Sequence, residues 1–131
     1  MSLRDNALSI NWQETKEFPT PEISISNGLF FLRKITSFEK GKMHKLAGYD
    51  PVTGFLDSER APTASCLMYL SDRDGNRIFG DGDFDAVGNL PATLVERIWI
   101  EGSKFNGLSE TSIEDAEKNS GTTPRNNSGT D

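Results

Sequence analysis

The segment from Pro91 to Gly107 constrains the fold of this chain most strongly. Its apolar side chains recur three, four and seven positions apart, at Leu94, Val95, Ile98, Trp99 and Phe105. Because an α-helix has about 3.6 residues per turn, this spacing places them along one side of a helix. Pro91 suits the start of a helix, and Asn106-Gly107 suits its end. The segment is therefore predicted to be an amphipathic helix.

Two more helices are predicted before it. The first is capped by Ser37 and ended by Gly48, and its near-helical pattern consists of Phe38, Met43, Leu46 and Ala47. The second has Pro62 in its first turn and carries Ala64, Leu67, Met68 and Leu70. This apolar content predicts a largely buried helix, which a turn at residues 72–76 follows.

The earlier part of the chain predicts a β-hairpin. Ile23 and Ile25 alternate with serines, Asn27-Gly28 supplies a turn, and residues 29–35 form an apolar, β-prone run. Residues 1–22 are predicted to be an extended arm, because prolines near its end prevent helix formation there. Trp12 in this arm is a candidate for contact with a neighbouring molecule.

The predicted fold is α+β and mainly α: a short N-terminal β-hairpin followed by a small bundle of about four helices. The last helix begins at Ser109, and residues 23–118 form a single folded domain. Residues 119–131 contain no large apolar side chain, so they cannot offset their ordering entropy by burial and are predicted to be a disordered tail.

Composition excludes several classes of function. The chain has 131 residues and a formal net charge of -6, which opposes binding to nucleic acid or anionic lipid. Its apolar runs are too short to cross a bilayer, and its N-terminus lacks the pattern of a signal peptide. A cytosolic protein without membrane or nucleic-acid partners is expected.

Charge is unevenly distributed along the chain. A basic stretch, Arg33, Lys34, Lys40, Lys42 and Lys45, contrasts with acidic stretches at 72–85 and 110–117. Opposite signs at opposite ends of the domain would favour head-to-tail self-association into rings or open spirals. Lys40, Lys42, Lys45, Asp81 and Asp83 are the candidate contacts. The alternative is an ordinary solvated surface of mixed charge.

Residues that could perform chemistry are isolated in the sequence. Cys66 lies alone in an apolar run and is predicted to be buried, and His44 lies among lysines as a surface residue. The aspartates at 72–85 suggest Ca²⁺, but Arg77 and Ala86 stand where the two possible EF-hand loops require glycine. No nucleotide-binding or nucleophile motif is present. No catalytic residue, cofactor or metal is predicted.

Five motifs follow one another along the chain: an apolar helix with an Asp-Arg-Asp-Gly turn (67–79), an acidic stretch after a phenylalanine (81–85), Leu-Pro before a helix (90–98), Asn-Gly-Leu-Ser (106–109) and Glu-Lys-Asn (117–119). In this order they resemble the motifs of the tail assembly chaperones of long-tailed bacteriophages and prophages. The resemblance spans roughly residues 67–119.

The resemblance implies a non-enzymatic protein of the host cytoplasm that self-associates and coats the tape measure protein. Tail tube protein, recruited by a longer frameshifted product, polymerises around it, and the chaperone is absent from the finished virion. Lys118-Asn119 can be encoded by a slippery A-AAA-AAC heptamer, so we expect frameshifting there. The alternatives are a structural or adaptor protein of the head-tail connector and a calcium-responsive binding module.

A chaperone of this kind needs exposed apolar anchors surrounded by solubilising charge. The candidates are Trp99, Phe105, Phe30 and Phe31. For each of them, ordinary packing in the core is the alternative.

Overall fold

A computed structural model describes residues 2–22 and 29–108. These residues form five α-helices and a three-stranded antiparallel sheet, an α+β fold that is mainly helical, as predicted. The elements, in chain order, are α1 (Leu3–Leu8), β1 (Thr15–Phe18), β2 (Phe30–Arg33), α2 (Ser37–Leu46), α3 (Ala61–Tyr69), β3 (Leu70–Ser71), a 3₁₀ turn (Asp81–Asp83), α4 (Phe84–Gly88) and α5 (Ala92–Phe105).

Helix α3 is the centre of the molecule. Every residue from Thr63 to Tyr69 is buried, and α2, α4 and α5 all pack against this helix. The chain passes directly from α3 into β3, so Leu70 and Ser71 are buried as well. The second predicted helix is therefore confirmed as the core helix of the fold.

Helix α5 confirms the strongest prediction from the sequence. Leu94 and Ile98 are fully buried against α3, and Gly102 lies so close to Tyr69 that a β-carbon there would be only 2.3 Å from the ring. Gly107 has a φ of +68° and ends the helix, as the Asn-Gly pair predicts. A glycine within the helix is thus explained by the close approach of the two helices.

The sheet has the order β1-β2-β3, with Phe18 opposite Phe30 and Leu32 opposite Leu70. The strand at residues 29–35 is confirmed, but its neighbour β1 comes from the predicted arm. Phe18 is 3% exposed, and the Thr15 hydroxyl donates to the carbonyl of Arg73 at 3.0 Å. Burial of Phe18 and these sheet bonds bring residues 15–18 into the domain, whose predicted start was residue 23.

Other details also differ from the prediction. Thr36, not Ser37, caps α2, because its hydroxyl accepts from the Glu39 N–H while the Glu39 carboxylate accepts from the Thr36 N–H. Phe38 is 91% exposed, although it fits the helical spacing. Helix α4 was not predicted, since it has only five residues and ends in a glycine, which gives little helical signal; burial of Val87 supports it.

Some predicted features lie outside the described residues. These are the first strand and turn of the hairpin (23–28), the helix from Ser109, the tail at 119–131 and the frameshift position Lys118-Asn119. Within the described part of the chain, none of the helices has the length and apolar character needed to cross a membrane.

Candidate functional site

A groove of about 680 Å³ runs between α2, α3 and α5. Its walls combine apolar side chains with a few basic ones: Lys40, Met43, His44, Ala47, Leu56, Ala61, Ser65, Tyr69, Trp99, Ile100, Ser103, Lys104, Gly107 and Leu108. Ile100 is 50% exposed and Leu108 is 38% exposed, so part of this apolar lining meets solvent. An apolar surface of this shape suits a side chain or a helix of another polypeptide segment.

The polar groups at the base of the groove bond to one another. The Tyr69 hydroxyl lies 3.1 Å from Ser103 Oγ, and Ser65 Oγ donates to the Ala61 carbonyl at 2.8 Å. Burial raises the pKa of Tyr69, so the phenol stays protonated at neutral pH. The Tyr69–Ser103 bond therefore links α3 to α5, while the Ser65 bond lies within α3, and the apolar surface remains available for contact.

The rim of the groove carries positive charge. Lys40 and Lys104 lie on opposite walls, on α2 and α5, and neither forms an ion pair within residues 2–22 and 29–108. His44 stacks on Tyr49 with ring centroids 6.0 Å apart. His44 is half-buried, whereas the sequence predicted an exposed residue. Burial, together with the charge of Lys40, lowers the pKa of His44. The imidazole is thus mainly neutral at pH 7, and the lysines supply the charge.

Two other basic residues of the predicted cluster, Arg33 and Lys34, have partners inside the molecule. Arg33 is 7% exposed and donates to the Met68 carbonyl at 2.8 Å and to both carboxylate oxygens of Glu39. Lys34 donates to the carbonyl of Phe105 and lies 4.3 Å from that ring's centroid. These contacts hold the end of β2 against α3 and α5, so the two cations are structural.

The structure brings together basic and acidic residues that were predicted to lie at opposite ends of the domain. Lys42 Nζ lies 3.0 Å from Asp81 Oδ2, and Arg77 donates to Asp81 Oδ1 at 2.9 Å. Asp83 accepts from the Gly80 N–H at 2.7 Å within its own turn. The fold brings α2 next to the acidic turn, so Lys42, Asp81 and Asp83 serve within one molecule. Lys45 is exposed and, like Lys40, remains a candidate contact.

The aromatic candidates fall into different environments. Trp99 is half-buried and lines the groove. Phe30 and Phe105 pack against the core, and Phe31 lies beneath Arg73 at 5.4 Å. Trp12 is 47% exposed in the segment before β1. The groove therefore brings together only Trp99 and Lys40 from the predicted set.

Most residues that line the groove were not predicted from the sequence. Met43, His44, Leu56, Tyr69, Ile100 and Leu108 all line it. One signal was present: Trp99 and Ile100 follow Ile98, so the apolar surface of α5 extends beyond the side buried by Leu94 and Ile98. The remaining residues come from separate elements, and only the packing of α2 and α5 on α3 assembles them.

Potential catalytic and metal-binding groups are dispersed. Cys66 is fully buried, and desolvation raises its pKa to about 12, which suppresses the reactive thiolate at neutral pH. Over the described ranges, no three His, Cys, Asp or Glu side chains converge on a point that could hold a metal ion. The Asp72 carboxylate accepts from the N–H groups of Asp74 and Asn76 and shapes the turn before Arg77.

Comparison with known proteins found no match of this chain to a family model, to a curated protein or to a solved structure. The groove, the exposed apolar surface and the sequence motifs are therefore the features that bear on function.

Proposed function

We propose that this protein is a bacteriophage tail assembly chaperone that binds the tape measure protein through the groove between α2, α3 and α5. The observation that carries the proposal is the apolar groove lined by Trp99 and Ile100 and bordered by Lys40 and Lys104. An amphipathic helix could bury its apolar side in such a groove. The order of motifs over residues 67–119 supports the choice of a phage client.

Self-association is part of the proposal, and the N-terminal segment supports it. Leu3, Leu8 and Ile10 are 85%, 71% and 62% exposed, and Trp12 follows them. Because apolar side chains in this number are costly to leave in water, contact with a neighbouring copy is favoured. With Lys42 and Asp81 paired internally, an apolar contact is better supported than the charged head-to-tail contact predicted from the sequence.

The proposed client can be tested by co-purification. The tagged chain would be co-expressed with the tape measure protein encoded in the same gene cluster, and retention of the client would be measured. Ile100→Asp places a charge in the groove at a half-exposed position and is expected to weaken retention by at least about tenfold, or about 1.4 kcal/mol. Val52→Asp is the matched control, because Val52 is 91% exposed in a loop outside the groove.

Equal retention by these two variants, or no retention by the unmodified chain, would contradict the proposal. The alternative, a component of the head-tail connector, predicts that the chain is found by mass spectrometry in purified virions. A chaperone of this class is expected to be absent from them. The proposed frameshift requires an AAA codon at Lys118, and an AAG codon there would remove that part of the proposal.

A further inference from the structure

Strand β1 forms one edge of the sheet. Within residues 2–22 and 29–108, it pairs with β2 on one side and with no strand on the other. Lys16 and Glu17 are exposed, and Pro19 comes only after the strand has ended. Such an edge presents N–H and C=O groups that a further strand can bind. β1 is therefore a place at which another chain can extend the sheet.

The register of β1 shows which of its backbone groups point outward. The Lys34 N–H donates to the carbonyl of Glu14 at 3.3 Å, so Glu14 is turned toward β2. Hydrogen-bonded pairs alternate along an antiparallel ladder, so Lys16 is turned toward β2 as well. Thr15 and Glu17 then direct their N–H and C=O groups away from β2. An incoming strand would bond to these two residues.

We propose that the strand that joins this edge is β1 of a second copy, paired antiparallel about a two-fold axis at Thr15. In this register Thr15 faces Thr15 of the second copy, and Glu14 faces Lys16 of the second copy on each side of the axis. Glu14 and Lys16 then form a non-hydrogen-bonded pair, with Cα atoms about 4.5 Å apart, which brings their side chains within reach of an ion pair. The two three-stranded sheets would become one sheet of six strands.

Charge favours this register over its neighbours. An axis at Glu14 or at Lys16 would place that residue opposite its own copy, and so would an axis at Glu17. Like charges directly opposite each other destabilise a strand pair, whereas opposite charges stabilise it. Charged side chains commonly protect an edge strand from pairing. Here they disfavour three registers and favour the one centred on Thr15.

The side chains that would form these ion pairs are accessible. The Glu14 side chain is 64% exposed, and Lys16 is exposed. Glu14 Oε1 lies 3.6 Å from Lys34 Nζ, so in the dimer the carboxylate would lie between two lysines. In the same register Trp12, which is 47% exposed, would come opposite Phe18 of the second copy. Covering part of the indole ring would add apolar burial to the contact.

The contact uses neither the groove residues nor a client, so it is independent of the proposed function. Each copy contributes the same surface to a two-fold contact, so the contact is closed and its product is a dimer. Longer assemblies of the kind that a tail assembly chaperone forms would then be built from dimers through a second surface.

The test reverses the facing charges one at a time and then together. Sedimentation velocity of the full-length chain over about a hundredfold range of concentration measures the dimer. Lys16→Glu places two carboxylates opposite each other and should raise the dimer dissociation constant at least about tenfold. Glu14→Lys should weaken the dimer similarly, although it changes the net charge in the opposite direction. The double variant restores opposite charges and should return the dissociation constant to within about threefold of its original value.

Lys45→Glu is the matched control for net charge. Lys45 is an exposed lysine of α2, outside β1, and its reversal changes the net charge by the same amount as Lys16→Glu. It should leave the dimer dissociation constant unchanged. Circular dichroism establishes that all four variants keep the fold.

A cysteine at Thr15 tests the position of the axis. Facing residues of a hydrogen-bonded pair have Cα atoms about 5.5 Å apart, within the range that a disulfide spans. The native Cys66 is buried and does not compete. Under mild oxidation Thr15→Cys should form a covalent dimer at least about tenfold faster than Glu17→Cys, because Glu17 would lie about 13 Å from its own copy along the strand.

A monomer at every concentration, or a dimer that survives both single charge reversals, would overturn the proposal. Weakening by the single variants without recovery in the double variant would overturn it as well, since the two residues would then not face each other. Equal rates of disulfide formation at positions 15 and 17 would rule out the axis at Thr15. Loss of client retention by a chain that still dimerises would instead contradict only the proposed function.

Discussion

Helices α1 and α3 are both short and both carry leucines, yet their environments are opposite. None of the residues of α1 is buried, whereas eight of the nine residues of α3 are. Helix α3 lies between α2, α4 and α5, and α1 precedes the sheet with its leucines in solvent. Burial of a leucine therefore depends on the neighbours that its helix finds in the fold.

The two helices should also differ in how they unfold. The Ser2 hydroxyl accepts from the Asp5 N–H at 3.1 Å, which caps α1 locally, but six residues are too few for a stable isolated helix. Opening of α1 therefore exposes little and costs little. Opening of α3 would expose the core, so its amide protons should exchange only on global unfolding.

The largest expected effect comes from shortening a leucine in each helix. Leu67→Ala removes a fully buried side chain of α3 and should lower the free energy of unfolding by about 2–5 kcal/mol, since it loses burial and leaves a cavity. Leu8→Ala, in α1, should change it by less than about 0.5 kcal/mol. Urea denaturation measures both. Similar losses for the two variants would show that α1 is part of the cooperative core.

A second pair of variants tests the close packing of α3 against α5. Gly102→Ala would place a methyl group 2.3 Å from Tyr69 Cδ2 and should destabilise the protein by about 1–3 kcal/mol. Gly41→Ala lies in the middle of α2 with nothing within 4 Å of the new carbon. It should stabilise the protein by about 0.5–1 kcal/mol, because glycine is a poor helix former. Opposite shifts in melting temperature are expected, and a neutral Gly102→Ala would contradict the packing.

The smallest effect concerns the pH dependence of the ion pair between Arg33 of β2 and Glu39 of α2. Burial opposes ionisation of Glu39, but hydrogen bonds from Thr36 and the Arg33 guanidinium outweigh it and lower its pKa below 4.5. A carboxylate whose pKa is lower in the folded state than in the unfolded state stabilises the fold at pH values above its unfolded-state pKa. This stability is lost as the pH falls through its folded-state pKa. Because Glu39 is partly exposed and a glutamine amide oxygen can still accept from the buried Arg33, Glu39→Gln should cost only about 1 kcal/mol at neutral pH.

The measurement is denaturation at a series of pH values. The difference between the unmodified chain and Glu39→Gln should be constant at neutral pH and shrink below about pH 4.5. Asp5→Asn in α1 is the matched control and should leave the free energy of unfolding unchanged. A difference that grows as the pH falls would contradict the proposed role of Arg33 and Glu39.

Local patterns predicted the elements whose signals lie within one stretch of chain. The spacing of Leu94 and Ile98 predicts α5, and Gly107 predicts its end, because periodicity and left-handed backbone preference are properties of the local sequence. The strand β1 was missed because its pairing depends on residues 30–33. Phe38 satisfies the helical spacing but has no neighbour to cover it, so it remains exposed.

The candidate site was predicted only in part, for the same physical reason. Trp99 and Lys40 could be named from residue type, but the groove that joins them exists only where α2 and α5 meet on α3. The charge pattern also gave no sign that Lys42 and Asp81, far apart along the chain, form an ion pair in the fold. Charge along a sequence does not predict which charges meet.

Spacing and backbone preference over a few residues were enough to predict the α+β class, the central apolar helix, the amphipathic α5 and the turn that follows α3. Three features became clear only in the folded molecule: Arg33 and Lys42 bond within the chain, Gly102 leaves room for the Tyr69 ring, and the leucines of α1 stay in solvent. Those outcomes depend on contacts between residues distant in the chain, where geometry and desolvation select among many possible partners.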